Sequence, residues 1–325
     1  MLRLFGLFVI TLFETIFARV SHGRLLPSWG FQFEWVVRFL RRDALGAAKW
    51  PYPKLRADYD RGRYPGLAVS KVKVETRECG AVPVVTFTPP GAAAGALVVF
   101  FHGGSYVFGS PRSTHADLIA RFAFGVRSVV VAPEYRLAPE HPYPAALEDA
   151  RKVVSALRAE HPNARLVVAG DSAGGNLALA VQLALRDGGE RQADAAVLIS
   201  PWLDLSANEP SCRENERYDF GHSSFLLPQA RAFAGEISLA DARVSPFYAR
   251  LEGLGPLFIQ VGDAERLRDE GVAFAARTQA AGVETVLDLA PELPHLPPLF
   301  ADFHPAGARA FDAATRYLRR ALRLE

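Results

Sequence analysis

Apolar and polar positions divide the chain into an N-terminal helical stretch and a longer region of short apolar runs alternating with helical segments. Residues 4–17 (LFGLFVITLFETIF) are nearly all apolar, bounded by Arg3 and Arg19 and interrupted by Glu14. A bilayer crossing takes about 20 apolar residues, so this run is short for spanning. It predicts a helix that packs on the protein itself or sits shallowly in a membrane surface. The helical period continues to residue ~60, with Trp35-Val36-Val37 and Phe39-Leu40 on one predicted apolar face. The proline-bearing stretch Trp50-Pro51-Tyr52-Pro53 is expected to stop that helix.

The pattern then changes. β-like runs are predicted at residues 69–75 and 82–87, separated by the turn Cys79-Gly80. Continuous apolar runs follow at 96–101, 128–132, 166–169, 195–199 and 257–261, with a last strand at 284–289. Continuous rather than alternating apolarity marks strands covered on both faces. Helical segments at 145–158, 174–186 and 269–281 lie between them. This alternation predicts an α/β fold: a mostly parallel central sheet of about eight strands with helices on both faces. Residues 201–243 break the alternation, being polar, aromatic and irregular, and predict an insertion that covers the sheet edge together with the N-terminal helices. The expected organisation is an N-terminal helical region at 1–62, a core at 63–200 and 244–325, and an insertion at 201–243.

Composition narrows the function classes. Half of the 325 residues are hydrophobic and 22% are charged, which suits a buried core. The formal charge of +2 points to no nucleic-acid partner. Cys79 and Cys212 stand far apart, and neither CxxC nor HExxH occurs, so no metal or other cofactor is expected. Two isolated thiols fit a reducing, cytoplasmic setting, with residues 4–17 as the segment that would attach the chain to a membrane.

The candidate chemistry begins at Gly170-Asp171-Ser172-Ala173-Gly174, which follows an apolar strand and opens a helical segment. GxSxG by itself is common; between a strand and a helix it is the context of a nucleophile elbow, with Ser172 on a strained turn. The helix start beside it favours negative charge. After the strand at 96–101 comes His102-Gly103-Gly104-Ser105-Tyr106, where glycines let backbone N–H groups turn toward a developing oxyanion. An ordinary glycine turn is the plainer reading of that loop; the elbow downstream favours the oxyanion.

With these residues in place the chain resembles the hormone-sensitive lipase family of α/β hydrolases. The resemblance rests on HGGSYVFGS from His102, PEYRLAPEHPYPAALEDA from Pro133, GDSAGGNLA from Gly170, SPWLDLS from Ser200 and VGDAERLRDEG from Val261, and covers the chain from about Val69 onward. It implies an α/β-hydrolase fold whose cap is built from the N-terminal helices and the insertion. It implies oxyanion donors at the backbone N–H groups of Gly104, Ser105 and Ala173, with serine at Ser105 where the family usually has glycine. His102 is expected to orient the loop. The family's D-x-L-x-D segment reads Glu265-Arg266-Leu267-Arg268-Asp269 here, so Glu265 holds the acid position, with Asp263 and Asp269 as rivals. His295, after the last strand, has the place of the base in the order Ser, acid, His. It is followed by Leu296-Pro297-Pro298 rather than glycine and an aromatic residue. His304 is expected to be structural, and His22, His115, His141, His161 and His222 to be solvated or core histidines.

The function implied is that of a serine carboxylesterase acting on a small-molecule acyl ester of short or medium chain length. Trp202, Phe220, Phe225, Leu226, Trp35 and Phe39 are candidates for an apolar pocket, with cap-to-core packing as the plainer role for each. The alternatives are an arylacetamide-type deacetylase and, from another class, a non-catalytic small-molecule receptor, against which His295 argues. Contact with a membrane through residues 4–17 and the oligomeric state stay open at this level.

Overall fold

A computed structural model describes residues 2–61, 66–221 and 223–325. The expected boundary at 62/63 and His222 fall outside the described residues. Eight strands form one sheet: β1 (Lys73–Cys79), β2 (Val82–Thr88), β3 (Ala96–Phe101), β4 (Val129–Pro133), β5 (Arg165–Asp171), β6 (Ala195–Ile199), β7 (Leu257–Gly262) and β8 (Thr285–Ala290). Their order is β1-β2-β4-β3-β5-β6-β7-β8. β1 and β2 pair antiparallel at one edge, β2 is antiparallel to β4, and all pairings beyond are parallel.

The continuous apolar runs are strands buried on both faces, and successive residues alternate sides. Val99 and Phe101 of β3 pack with helices α5 (Ala145–Glu160), α6 (Ala173–Asp187) and α9 (Arg268–Ala280). Val98 and Phe100 pack on the other face with α4 (Ala116–Val126) and α10 (Pro305–Ala321). The first strand starts later than its pattern predicts. Val69–Lys71 form a short 3-10 turn and pairing begins at Lys73. β1 is an exposed edge strand with no buried face to fix its start.

Three helices precede the sheet: α1 (Leu2–His22), α2 (Phe31–Ala47) and α3 (Tyr52–Tyr59). The Pro51 stretch starts α3 rather than merely stopping α2, which already ends at Ala47. A proline in the first helical turn has no hydrogen bond to lose there. The apolar face of α2 also differs from its predicted one. Phe33 and Val37 pack against Trp29, Leu293 and Phe300, beside β8 and α10. Trp35 points the other way, its ring 4.2 Å from that of Phe8 on α1. Between β6 and β7 run α7 (Ser211–Glu214) and α8 (Ser223–Ala234) within irregular chain. Cys79 and Cys212 are both free and buried.

Candidate active site

Three strand ends converge on one side of the sheet. At the end of β5 the chain reverses through Ser172, at φ 53° and ψ −120°, directly into α6. A non-glycine residue held there stores about 1–3 kcal/mol. The conformation is fixed from both sides: Ser172 N–H donates to Ile199 O at 2.9 Å, and Ser172 O accepts from Trp202 N–H at 3.1 Å. Gly174 permits the turn, because a Cβ there would lie 2.0 Å from Phe101 O.

After β3 the chain turns over this serine. Gly104, at φ 116°, passes so close to Phe108 O that a Cβ would lie 2.1 Å away. Ser105 and Tyr106 are also left-handed, at φ 52° and 65°. The energetic cost is held by packing: the Tyr106 ring stacks on Phe233 at 3.7 Å and its hydroxyl donates to Asn176 Oδ1 at 2.8 Å. Among the described residues the backbone N–H groups of Gly104, Ser105 and Ala173 donate to no protein acceptor. Gly103 N–H is already taken, by Asp171 Oδ1 at 3.0 Å. The imidazole of His102 lies against the Tyr135 ring at 4.4 Å, with Nδ1 2.7 Å from Gly103 O. Burial lowers its pKa to about 3, so it stays neutral.

After β7 the chain carries Glu265 into the protein, fully buried. Its Oε2 accepts from Ser200 Oγ at 2.5 Å and from Gly262 N–H at 3.0 Å, and lies 3.8 Å from His295 Nδ1. Of the rivals, Asp269 is engaged by Ser211 N–H and Arg268. Asp263 has its N–H on Ala290 O and makes no ion pair with His295 among the described residues. Burial drives the Glu265 carboxyl well above the usual range, against the opposing Ser200 hydrogen bond. Burial lowers the pKa of His295, opposed by the negative charges of Asp219 and Asp171. A neutral imidazole protonated at Nδ1, the nitrogen nearer Glu265, has Nε2 as its acceptor. No hydrogen bond joins Ser172 Oγ to His295 in this structure.

Four polar residues hold the site together beyond those the sequence singled out. Ser200, at the end of β6, donates to Glu265 and accepts from Leu296 N–H at 3.0 Å, tying the acid to the histidine loop. Asp219, buried in the insertion, accepts from Arg266 N–H at 2.9 Å and His295 N–H at 3.3 Å. Asp171, buried beside the serine, accepts from Gly103 and lies 3.2 Å from His115 Nε2. Burial alone would raise the Asp171 pKa, but the charge and hydrogen bond of His115 bring it below the ordinary value. His115 is therefore neither an idle core histidine nor a solvated one. Ser200 and Asp171 lie inside recognisable motifs, whereas Asp219 carries no local signal.

The expected pocket residues scatter. Phe220 meets His295 edge-on at 5.7 Å, and Phe225 meets Phe108 at 6.1 Å. Trp202 is wholly buried and Leu226 packs on the core. Trp35 faces α1, where its indole donates to Thr11 Oγ1, and Phe39 is half-buried on α2. A cavity of about 350 Å³ lies between the start of α3 and α8, with Phe225 in its wall. His304 caps α10, accepting from Ala306 N–H.

Comparison with known proteins decides the family. The family model described as alpha/beta hydrolase fold matches residues 98–298. A solved esterase of the bacterial hormone-sensitive lipase family superposes with a TM-score of 0.80 at 32% identity, covering 87% of this chain and 98% of that one. The chain belongs to the hormone-sensitive lipase family of α/β hydrolases. Among relatives of this family member, an acetyl-hydrolase of Streptomyces hygroscopicus is 36% identical over 71% of this chain and 78% of its own. An ethyl acetate hydrolase of Pseudomonas putida is 33% identical over 85% and 86%.

Proposed function

We propose that this α/β hydrolase is a serine carboxylesterase using Ser172, His295 and Glu265, with the N–H groups of Gly104, Ser105 and Ala173 as oxyanion donors. The observation that supports the reading is the strained Ser172 at the β5–α6 turn, joined by Asp171 to the Gly103–Ser105 loop, with Gly104, Ser105 and Ala173 N–H groups that have no protein acceptor among the described residues. His295 Nε2 takes the proton of Ser172 Oγ as the oxygen attacks the ester carbonyl. Glu265 holds the imidazole tautomer and offsets its positive charge. The negative charge on the tetrahedral oxygen is met by the backbone donors, each worth about 3–4 kcal/mol. Collapse breaks the C–O bond, and the leaving alkoxide takes the proton back from His295. Water then repeats the sequence on the acyl-enzyme. Catalytic hydrogen bonds commonly tighten when substrate binds, which accommodates the open Ser172–His295 contact.

We take residues 1–62 and 201–243 as the two parts of the cap over the core. Relatives named for acetyl and ethyl acetate hydrolysis favour short acyl chains. The test is turnover of p-nitrophenyl esters from acetate to palmitate by the wild type and by Ser172→Ala. Turnover greatest on the shorter chains and absent in the variant is expected. Equal turnover in the variant would refute the assignment, and a preference for palmitate would refute the chain-length reading.

A further inference from the structure

Helix α1 presents its faces in the opposite sense to a helix on a water-exposed surface. Its polar groups turn inward onto α2: Arg3 pairs with Asp43 at 3.1 Å, Arg19 with Glu34 at 2.9 Å, and Glu14 with Arg42. Thr11 and Thr15 are buried on the same face, their hydroxyls bonded to Leu7 O and Thr11 O of the helix itself. Outward stand Phe5, Phe13, Phe17 and Val20, from 65% to 84% exposed. At 100° per residue these side chains form one stripe along the helix. So long an apolar strip is more than a scattering of surface residues and calls for a partner.

Three occupants fit an apolar helix face, and the structure separates them. The helix is long and apolar enough to cross a bilayer. Crossing would require tearing its three charged residues from α2, or drawing in Glu34, Arg38, Arg41, Arg42 and Asp43 with it. A helix strapped in this way lies along a surface. A second copy would have to set the same patch against itself. Residues 1–61 carry ten Lys and Arg against five Asp and Glu, a net +5, while the remainder of the chain carries −3. Two copies joined through this region would bring like net charge together, whereas anionic headgroups complement it.

We infer that α1 is an in-plane anchor for an anionic membrane, its Phe5–Phe13–Phe17–Val20 stripe in the acyl layer and its charged face held by α2. A chain of contacts links this helix to the loop after β3. Arg3 of α1 and Lys54 of α3 both lie over the Trp50 ring at 4.4 Å, and Trp50 lines the cavity shared with Phe225 of α8. Phe225 in turn packs on Phe108, whose N–H bonds Gly104 O.

The test is flotation of the full-length protein with vesicles of phosphatidylglycerol or of phosphatidylcholine, alongside the double variant Phe13→Glu/Phe17→Glu. Binding to phosphatidylglycerol that weakens with salt, and falls about a hundredfold or more in the variant, is expected. Spin labels at Ile10→Cys and Val20→Cys should report equal, shallow depths, since both native cysteines are buried. The variant should keep wild-type turnover of soluble p-nitrophenyl acetate, which shows it is folded. Absence of vesicle binding, equal binding to phosphatidylcholine, or a wild-type dimer that the variant dissolves would overturn the anchor. Labels at the bilayer centre would overturn its in-plane orientation. Vesicle binding without ester turnover would instead refute the esterase reading and leave the anchor standing.

Discussion

At the scale of single residues the site depends on charges kept in chosen states by burial. Asp171 stands next to Ser172, almost completely buried, with His115 Nε2 at 3.2 Å and Gly103 N–H at 3.0 Å as its partners. It joins the turn that carries Ser172 to the loop that carries Gly104 and Ser105. His115 is what keeps the Asp171 carboxyl below its ordinary pKa despite burial. Removing it leaves a buried carboxylate short of a partner and loosens Gly103. His115→Ala should therefore lower kcat by about tenfold to a hundredfold with little change in KM, because a shift of the donors by about 1 Å costs that much. Steady-state kinetics on one soluble ester check this, and an unchanged kcat would show the contact to be idle. Ser172 and His295 stand out in the sequence by motif and chain order, and Glu265 by the family resemblance. His115 was not, because its role comes from a contact across 56 positions of sequence rather than from neighbours in the chain.

At the scale of elements, strand type and layering follow from apolar continuity, since strands covered on both faces carry few polar positions, and Gln260, buried in β7, bonds to Asp288 and Ala310 O. The misplaced features are those that lack this constraint. β1 is exposed along nearly its whole length, so no buried face dictates where it starts. The buried side of α2 departs from its sequence pattern because Trp35, the largest apolar residue of its helix, serves a second helix instead of the sheet. Asp219 escaped notice because it works through backbone N–H groups of two loops that only the fold brings to it. The elbow gives the sharpest prediction at this scale. Replacing an interior helix glycine by alanine ordinarily stabilises by about 1 kcal/mol. At Gly174 the added Cβ would lie 2.0 Å from Phe101 O and 2.6 Å from His102 O, all rigid backbone. Gly174→Ala should thus destabilise, by about 3 kcal/mol or more, and cut turnover with it. A denaturant midpoint equal to or above that of the wild type would contradict this account of the turn.

At the scale of the whole molecule, loops from β3, β5, β6, β7 and the insertion reach one point, and their buried polar groups set how the protein meets acid. His102 is fully buried and neutral, with its pKa lowered to about 3 by desolvation. Below the ordinary histidine value of about 6.5 the unfolded chain takes up a proton that the folded one refuses. Stability is therefore complete above about pH 6.5 and falls toward about pH 3, with a slope near 1.4 kcal/mol per pH unit from this residue. Denaturation measured across that range should be less steep for His102→Gln; an identical slope would mean that the imidazole takes up its proton in the folded state. The central claim is that the convergence of these loops activates Ser172 alone among the chain's serines. The most direct measurement is intact-mass and peptide mapping after exposure to a p-nitrophenyl alkylphosphonate. The account predicts one adduct per chain, on the peptide bearing Ser172, and none in Ser172→Ala. An adduct on another residue, or unhindered ester turnover by a protein that never labels, would contradict it.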